Sequence, residues 1–266
     1  MRQFSLREAV PLAQTPRARL WTARADSGAP VVLKLYVRGD MGNEASGAQY
    51  LERLAGRAAV RILARSGVAL VMEHLAGPSL GDHARAGAMQ EADEKLGQVA
   101  VQLCAAGIPI AEMLPVERLF APLLQARDLG GEMRRAQDLG RTLLRAIEQD
   151  PSAQVALHGD LHHDNVILTR AGPRAFDAKG LAGPPAYELA NAFRHPRGLA
   201  SRACDPEVIR WRARIWSRAC GSSASDLLRW AVAKVALSIL WAEQDSAADQ
   251  RLLKHLLQVA DQGLRD

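Results

Sequence analysis

The stretch Ala156 to Leu168, ALHGDLHHDNVIL, concentrates residues that can do chemistry. Three histidines and two aspartates fall within His158 to Asp164, and Asn165 follows. Three chemistries draw on such a set: a transition-metal site, a phosphoryl-transfer loop, or a polar turn rich in His. His158 and His162 are four apart, which on a helix pairs zinc ligands. Here His158 and Asp160 straddle Gly159 in what reads as a turn, so the spacing loses that meaning. Weight passes to the oxygen donors. NVILTR reads as a strand, AGP as a turn and RAFD as a returning strand. A hairpin centred on residue 171 brings Asn165 beside Asp177. An amide and a carboxylate oxygen together suit Mg²⁺, a hard cation. Asp160, five residues before Asn165, enters the same end of the hairpin as a free carboxylate. His158 is expected to hydrogen-bond behind the loop, His162 to approach the site and His163 to be exposed.

An Asp, an Asn five residues on, and a second Asp at the end of a strand pair follow the order used in kinase-type phosphoryl transfer. There the first Asp handles the acceptor hydroxyl, and the Asn and second Asp hold Mg²⁺ on the nucleotide phosphates. The order demands a strand Lys for the α- and β-phosphates and a helix Glu to orient it. Only five of the 34 basic residues are Lys, so Lys34 inside VVLKLY stands out. Glu44 opens the segment after it. Lys179, two residues beyond Asp177, is a further candidate for the site. Tyr187, Glu188 and Asn191 read as a helix packed beneath it.

These parts need elements to hold them. Ala18 to Arg24 and Val31 to Val37 read as a hairpin, and a helix is expected from about Asn43 to Leu54. Two more strands lie within AAVRILARSG and VALVMEHL. A Gly-Pro hinge at Ala76 to Pro78 comes next, with Ser79 as a cap for the segment after it. Helices are expected over Gln90–Ala105, Glu132–Gln149, Pro206–Ala219, Ala224–Glu243 and Ala247–Gly263. The outline is an α+β chain: residues 1–75 form a β-rich lobe with one helix, and residues 76–266 a mainly helical lobe. The Trp residues are expected in the core.

LHGDLHHDNVIL resembles the motif of aminoglycoside phosphotransferases. FDAKGLAGPPAYELANAFRHP resembles the D-P-K-G-x-x-G-D-P-A-Y segment of the streptomycin 6-kinase/hydroxyurea phosphotransferase branch. The resemblance runs from about Leu20 to Arg197. It implies a protein-kinase-like bilobal fold and ATP-dependent O-phosphorylation of a small hydroxylated molecule, with an aminoglycoside such as streptomycin as acceptor. By match, Asp160 is the catalytic base, Asn165 and Asp177 are the Mg²⁺ ligands, and Lys34 and Glu44 position the phosphates. Asp160, Lys34 and Asp177 form the catalytic set, and the backbone of MEHL, with Glu73 and Leu75, binds adenine. Two departures stand out: Ala178 replaces the usual Pro and Pro184 the usual Asp. No Gly-rich loop precedes Lys34, so AQTPRARLW is left to cover the phosphates with Gln14, Thr15 and backbone amides.

Composition narrows the alternatives. A net charge of +5 comes from basic residues spread without a block, and there are only three Tyr and four Phe for stacking. Nucleic acid is therefore not the expected partner. Cys104, Cys204 and Cys220 are odd in number and lack CxxC spacing, which fits a reducing cytoplasm. MRQFSLREAV lacks the apolar core of a secretory signal. The apolar windows near Leu96 and Trp230 are interrupted by Gly107 and Pro109, or by Lys234, so no membrane span is expected. A monomer or weak dimer is expected. Competing readings are a housekeeping sugar or amino-alcohol kinase, a nucleotide-binding pseudokinase and a His/Asp metal hydrolase. A polycationic acceptor predicts a cleft lined with acids, for which Asp205, Glu207, Asp226 and Glu243 are candidates. A cleft lined with Arg contradicts an aminoglycoside.

Overall fold

The computed structural model describes residues 4–37, 39, 41–42, 44–242 and 246–263. Strands β1 (Arg7–Gln14), β2 (Ala18–Arg24), β3 (Pro30–Tyr36), β4 (Ile62–Ser66) and β5 (Ala69–Glu73) form one antiparallel sheet, in the order β1-β2-β3-β5-β4. Helix α1 (Glu44–Leu54) packs against it through Ala48. The proposed start of this helix at Asn43 lies outside the described residues. Strand β1 was not legible in the sequence. It is an edge strand exposed along most of its length, with Pro11 inside and no alternation of apolar residues.

The two faces of the sheet divide β3 by the period of two. Val31 and Leu33 pack with Ala23 and Val71 on the outer face. Tyr36 packs with Ala18, Leu70 and Ala48 of α1 on the other. Lys34 shares that inner face, in register with Leu20 on β2 and Leu70 on β5. The alternation alone therefore points Lys34 at α1 and away from the outer core.

Beyond Ala76 the chain is mostly helical. Helix α2 (Leu80–Arg85) begins with a capping box, in which Ser79 and Asp82 satisfy each other's backbone N–H. Helices α3 (Met89–Cys104), α4 (Glu117–Gln125) and α5 (Gly131–Gln149) come next. The C-terminal set is α6 (Ala200–Ala203), α7 (Pro206–Ala219), α8 (Ala224–Trp241) and α9 (Ala247–Gln262). Helix α4, absent from the sequence reading, carries Pro122 in its interior, which hides a helical pattern. Helix α8 is the centre of this half: Leu227, Leu228 and Trp230 to Ser238 are all buried. A helix apolar nearly all round belongs inside other helices. Glu243, the expected end of this helix, lies outside the described residues. Among the described residues no helix is long and apolar enough to cross a membrane, and the three cysteines are free.

Two small sheets serve the site. Strands β6 (Leu114–Pro115), β7 (Val155–Leu157) and β10 (Leu181–Gly183) form one, in the order β6-β10-β7. Strands β8 (Val166–Thr169) and β9 (Gly172–Ala175) form a hairpin pairing Val166 with Ala175 and Thr169 with Gly172. Its turn is Arg170–Ala171, two residues long, rather than the AGP segment. The Asn165 carbonyl accepts from the Phe176 N–H at 2.9 Å, so Asn165 and Asp177 do end up side by side.

Candidate active site

The loop from His158 to Asn165 is held at both ends. β7 pairs antiparallel with β10, Leu157 opposite Leu181, which sets the His158 carbonyl to accept from the N–H of Lys179 and of Gly180. The His158 Nδ1 accepts from the Asp160 N–H and its Nε2 donates to the Phe176 carbonyl. That arrangement requires the neutral ring, and burial brings its pKa down to about 4. His158 therefore braces the loop from behind.

Asp160 keeps a side chain 20% exposed. Its Oδ1 accepts from Asn191 Nδ2 at 2.8 Å, and Lys179 Nζ stands 3.8 Å from its Oδ2. Burial opposes its charge, but the nearby ammonium groups, Lys179 foremost and Lys234 as well, outweigh burial and bring the carboxyl down to about 2. Asn165 donates from Nδ2 to the Asp160 carbonyl at 3.0 Å, which leaves its Oδ1 for another partner.

Asp177 adopts a left-handed backbone, φ 62°, which Asp tolerates better than most side chains. Its Oδ1 lies 2.6 Å from Lys34 Nζ. Lys34 also lies 3.8 Å from Glu44, whose other oxygen is 3.7 Å from Lys179 Nζ and 3.6 Å from Arg17. Burial works against the Lys34 ammonium, yet Asp177 holds its pKa above the ordinary lysine range. Asp160, Lys179, Glu44, Lys34 and Asp177 thus form one continuous chain of alternating charge across the sheet and the loop. Lys179 is the link between Asp160 and Glu44, an equal member that the sequence had marked only as a candidate.

Close backbone approach makes this chain possible. A Cβ on Gly47 of α1 would lie 1.8 Å from the Ala178 carbonyl oxygen. One on Gly180, at φ 64°, would lie 2.2 Å from the Ser46 carbonyl. Ser46 Oγ closes the contact by donating to the Gly180 carbonyl.

Other expected residues land elsewhere. His163 is fully buried, not exposed: its Nε2 is 2.7 Å from Asp93, which also meets fully buried Arg212 at 3.0 Å. The short 3₁₀ turn His163–Asn165 aims it inward against α3 and α7. His158, His162 and His163 do not converge. His162 instead stacks on His195, centroids 3.6 Å apart. The Glu73 carboxylate turns away to the Arg61 N–H and Arg174. The N–H groups of Glu73 and His74 go to the carbonyls of Arg61 and Pro30, while Leu75 contributes core packing. Tyr187 and Glu188 lie in and just after a 3₁₀ turn rather than a helix, and Glu188 accepts from the N–H of His158 and of Gly159. Asp205 caps α7, Glu207 pairs with Arg210, and Asp226 bonds Ser223 at the start of α8. None of the three reaches the site, and Glu243 lies outside the described residues. Trp216 and Trp230 are core residues, but Trp241 is 47% exposed at the site's edge.

Three adjoining cavities run through this arrangement. The first lies under the sheet, between apolar Leu20, Leu70, Met72 and Phe176, with Lys34, Glu44 and Asp177 in its wall. The second is lined by Asp160, Asn165 and Asp177 together. The third opens toward α8 and includes Asp160, Lys179 and Lys234. Asp177 borders the first two, and Asp160 the last two. Of the expected phosphate cover, Thr15 lines the first cavity, but its hydroxyl already accepts from the N–H of Arg17 and of Ala18. That turn presents the Arg17 side chain rather than free amides.

This sheet-and-helix architecture is that of kinase-like small-molecule phosphotransferases. The structure of choline kinase LicA from Streptococcus pneumoniae superposes with a TM-score of 0.65 over 97% of this chain and 96% of that one, at 13% identity. A thermostable mutant of aminoglycoside phosphotransferase APH(4)-Ia gives 0.61 over 95% of both chains, at 14% identity. In sequence, streptomycin 3''-kinase of Klebsiella pneumoniae is 32% identical over 208 residues, 75% of this chain and 76% of that protein. A family model described as "Aminoglycoside/hydroxyurea antibiotic resistance kinase" matches residues 3–246. The chain belongs to that family and is a small-molecule phosphotransferase.

Proposed function

We propose that the chain transfers the γ-phosphoryl group of Mg-ATP to a hydroxyl of a small molecule. The observation that carries this reading is the sequence of three cavities hinged on Asp177 and Asp160. Adenine fits the apolar first cavity, and Lys34, oriented by Glu44, reaches the α- and β-phosphates. Arg17 covers them from the β1–β2 turn. The free Oδ1 of Asn165 and the Asp177 carboxylate are oxygen donors that fit Mg²⁺, which would neutralise charge building on the phosphates. The acceptor enters from the third cavity and presents its hydroxyl to Asp160.

In the transfer, the acceptor oxygen bonds to the γ-phosphorus and the bond from phosphorus to the β–γ bridging oxygen breaks, leaving ADP. The hydroxyl proton passes to Asp160. A carboxylate with a pKa of about 2 is a weak base toward a free alcohol. Its work is to orient the hydroxyl and to take the proton late, once the oxygen has begun to bond to phosphorus, as a loose transition state allows. Asn191 holds one carboxylate oxygen and leaves the other for the hydroxyl.

Kinship with the Klebsiella kinase supports streptomycin as the first acceptor to try. The test is ADP release from Mg-ATP across aminoglycosides, sugars and amino alcohols, with Asp160→Asn as control. At least one acceptor should raise turnover, and Asp160→Asn should lower it by about 10³-fold. If no acceptor lifts turnover above that of Asp160→Asn, the reading is lost.

A further inference from the structure

The third cavity has an unexpected charge. Among the described residues its wall carries five cations, Arg17, Lys179, Arg194, Arg197 and Lys234, against two carboxylates, Glu44 and Asp160. Three cations have carboxylate partners. Arg17 and Lys179 share Glu44, and Arg194 is 2.6 Å from Asp249. Lys234 and Arg197 have no carboxylate within 4.0 Å among the described residues. Arg197 is exposed at the rim, where its backbone N–H is fixed by Asp164.

Lys234 is the sharper case. It is 7% exposed, on the buried face of α8, and among the described residues its ammonium hydrogen-bonds only to Ser238 Oγ, at 2.9 Å. Trp241 stands over the ammonium, 5.3 Å from Nζ to the ring centroid. An ammonium has three donors, so two of them have no partner among the described residues while the side chain faces a cavity. Asp160 and Asp249 attract the ammonium from beyond 4.0 Å, but a buried cation with no carboxylate in contact is costly and is most readily tolerated where an anion arrives to meet it. Burial already brings its pKa down to about 8, and the neighbouring rings do not offset the charge. His162 and His195 are held neutral, their pKa values lowered by burial.

We propose that Lys234 and Arg197 form a subsite for an anionic group, a carboxylate or a phosphate, carried by the acceptor whose hydroxyl meets Asp160. This rests on the phosphotransfer reading and adds the class of acceptor: a hydroxylated anion rather than a polycation. A polycation would meet the two cations that have no carboxylate partner among the described residues, Arg197 and Lys234, on its way to Asp160. A hydroxy acid or a sugar phosphate would complete both.

The test uses the full chain with ADP and Mg²⁺ saturating, so that added anions do not report on the nucleotide side. Inorganic phosphate and succinate are titrated separately against tryptophan fluorescence, which Trp241 makes sensitive to the subsite. Wild type, Lys234→Gln and the surface variant Arg197→Gln are compared. At least one anion should bind at millimolar concentration, with affinity down tenfold or more in Lys234→Gln and about threefold in Arg197→Gln. The anion that binds tells a carboxylate subsite from a phosphate one. In steady state with Mg-ATP, carboxylated or phosphorylated acceptors should show a KM raised tenfold by Lys234→Gln, with the KM for ATP moving less than threefold. Absence of anion binding, or equal affinity in wild type and both variants, overturns the proposal. So does efficient phosphorylation of streptomycin with a KM unchanged in Lys234→Gln, an outcome that leaves the kinase reading intact. Lys234-dependent anion binding without phosphorylation of any acceptor removes the kinase reading and keeps the subsite.

Discussion

Asp160 works at a charge set by its neighbours, and Lys179 is the main one. With its carboxyl brought down to about 2, Asp160 stays ionised down to about pH 4. Its ionisation therefore contributes no acid limb to the pH–rate profile above about pH 4. Removing Lys179 takes away the largest attraction, and the folded pKa then rises toward the ordinary carboxylate range. For a depressed carboxyl the ionised form is lost as pH falls through the folded value, so raising that value moves the limb to higher pH. Lys179→Met should lower kcat about tenfold at pH 7 and create an acid limb near pH 5. The check is kcat against pH from 4.5 to 8 for both proteins. If the two profiles have the same shape, Lys179 does not set the charge of Asp160.

The elements position these residues through contacts that exclude side chains. Helix α1 carries Glu44 and can lie against the Ala178–Gly180 backbone only because position 47 has no Cβ. An alanine there would place a carbon 1.8 Å from a carbonyl oxygen, so one of the two backbones has to shift. Gly47→Ala should displace α1, part Glu44 from Lys34 and Lys179, and lower kcat/KM by at least 100-fold in a protein that remains folded. Gly97→Ala in α3 is the control, since its nearest contact would be an ordinary 3.5 Å to Trp216. Helix propensity there gains up to about 1 kcal/mol. Equal activity in the two variants would mean that the close approach is dispensable. This contact also marks the limit of what the sequence pattern shows. Hairpin arithmetic suffices to bring Asn165 to Asp177, and strand alternation to aim Lys34 inward, because both follow from local periods. The link from Lys179 to Glu44 and Asp160 needs left-handed turns at Asp177 and Gly180, which no period announces. Burial of His163 was hidden for a similar reason: its partner Asp93 lies 70 residues before it, and Arg212, which shares that carboxylate, is still further from Asp93 along the chain.

Across the whole molecule, the cleft and the core compete over α8. That helix is the hub of the C-terminal half, and Lys234 is a charge set within its buried run. Burial takes the ammonium from its ordinary 10.5 to about 8, a cost on the order of 3 kcal/mol. The sign follows from proton counts. Between pH 8 and 10.5 the unfolded chain binds the proton and the folded one releases it, so stability rises with pH across that window. Below pH 8 both states hold the proton and the whole cost remains. Lys234→Met fills nearly the same volume without charge. At pH 7 its Tm should exceed that of wild type by about 6–12 °C, given about 2–4 °C per kcal/mol for a chain of this size, and the gap should close toward pH 10.5. The same substitution should weaken anionic acceptors, so stability is gained where function is lost. Thermal melts of both proteins at pH 7, 8.5 and 10 decide it. A variant that melts below wild type at pH 7, or a gap that ignores pH, would mean that Lys234 is a satisfied structural residue held by Ser238 and Trp241 rather than a charge kept for a ligand.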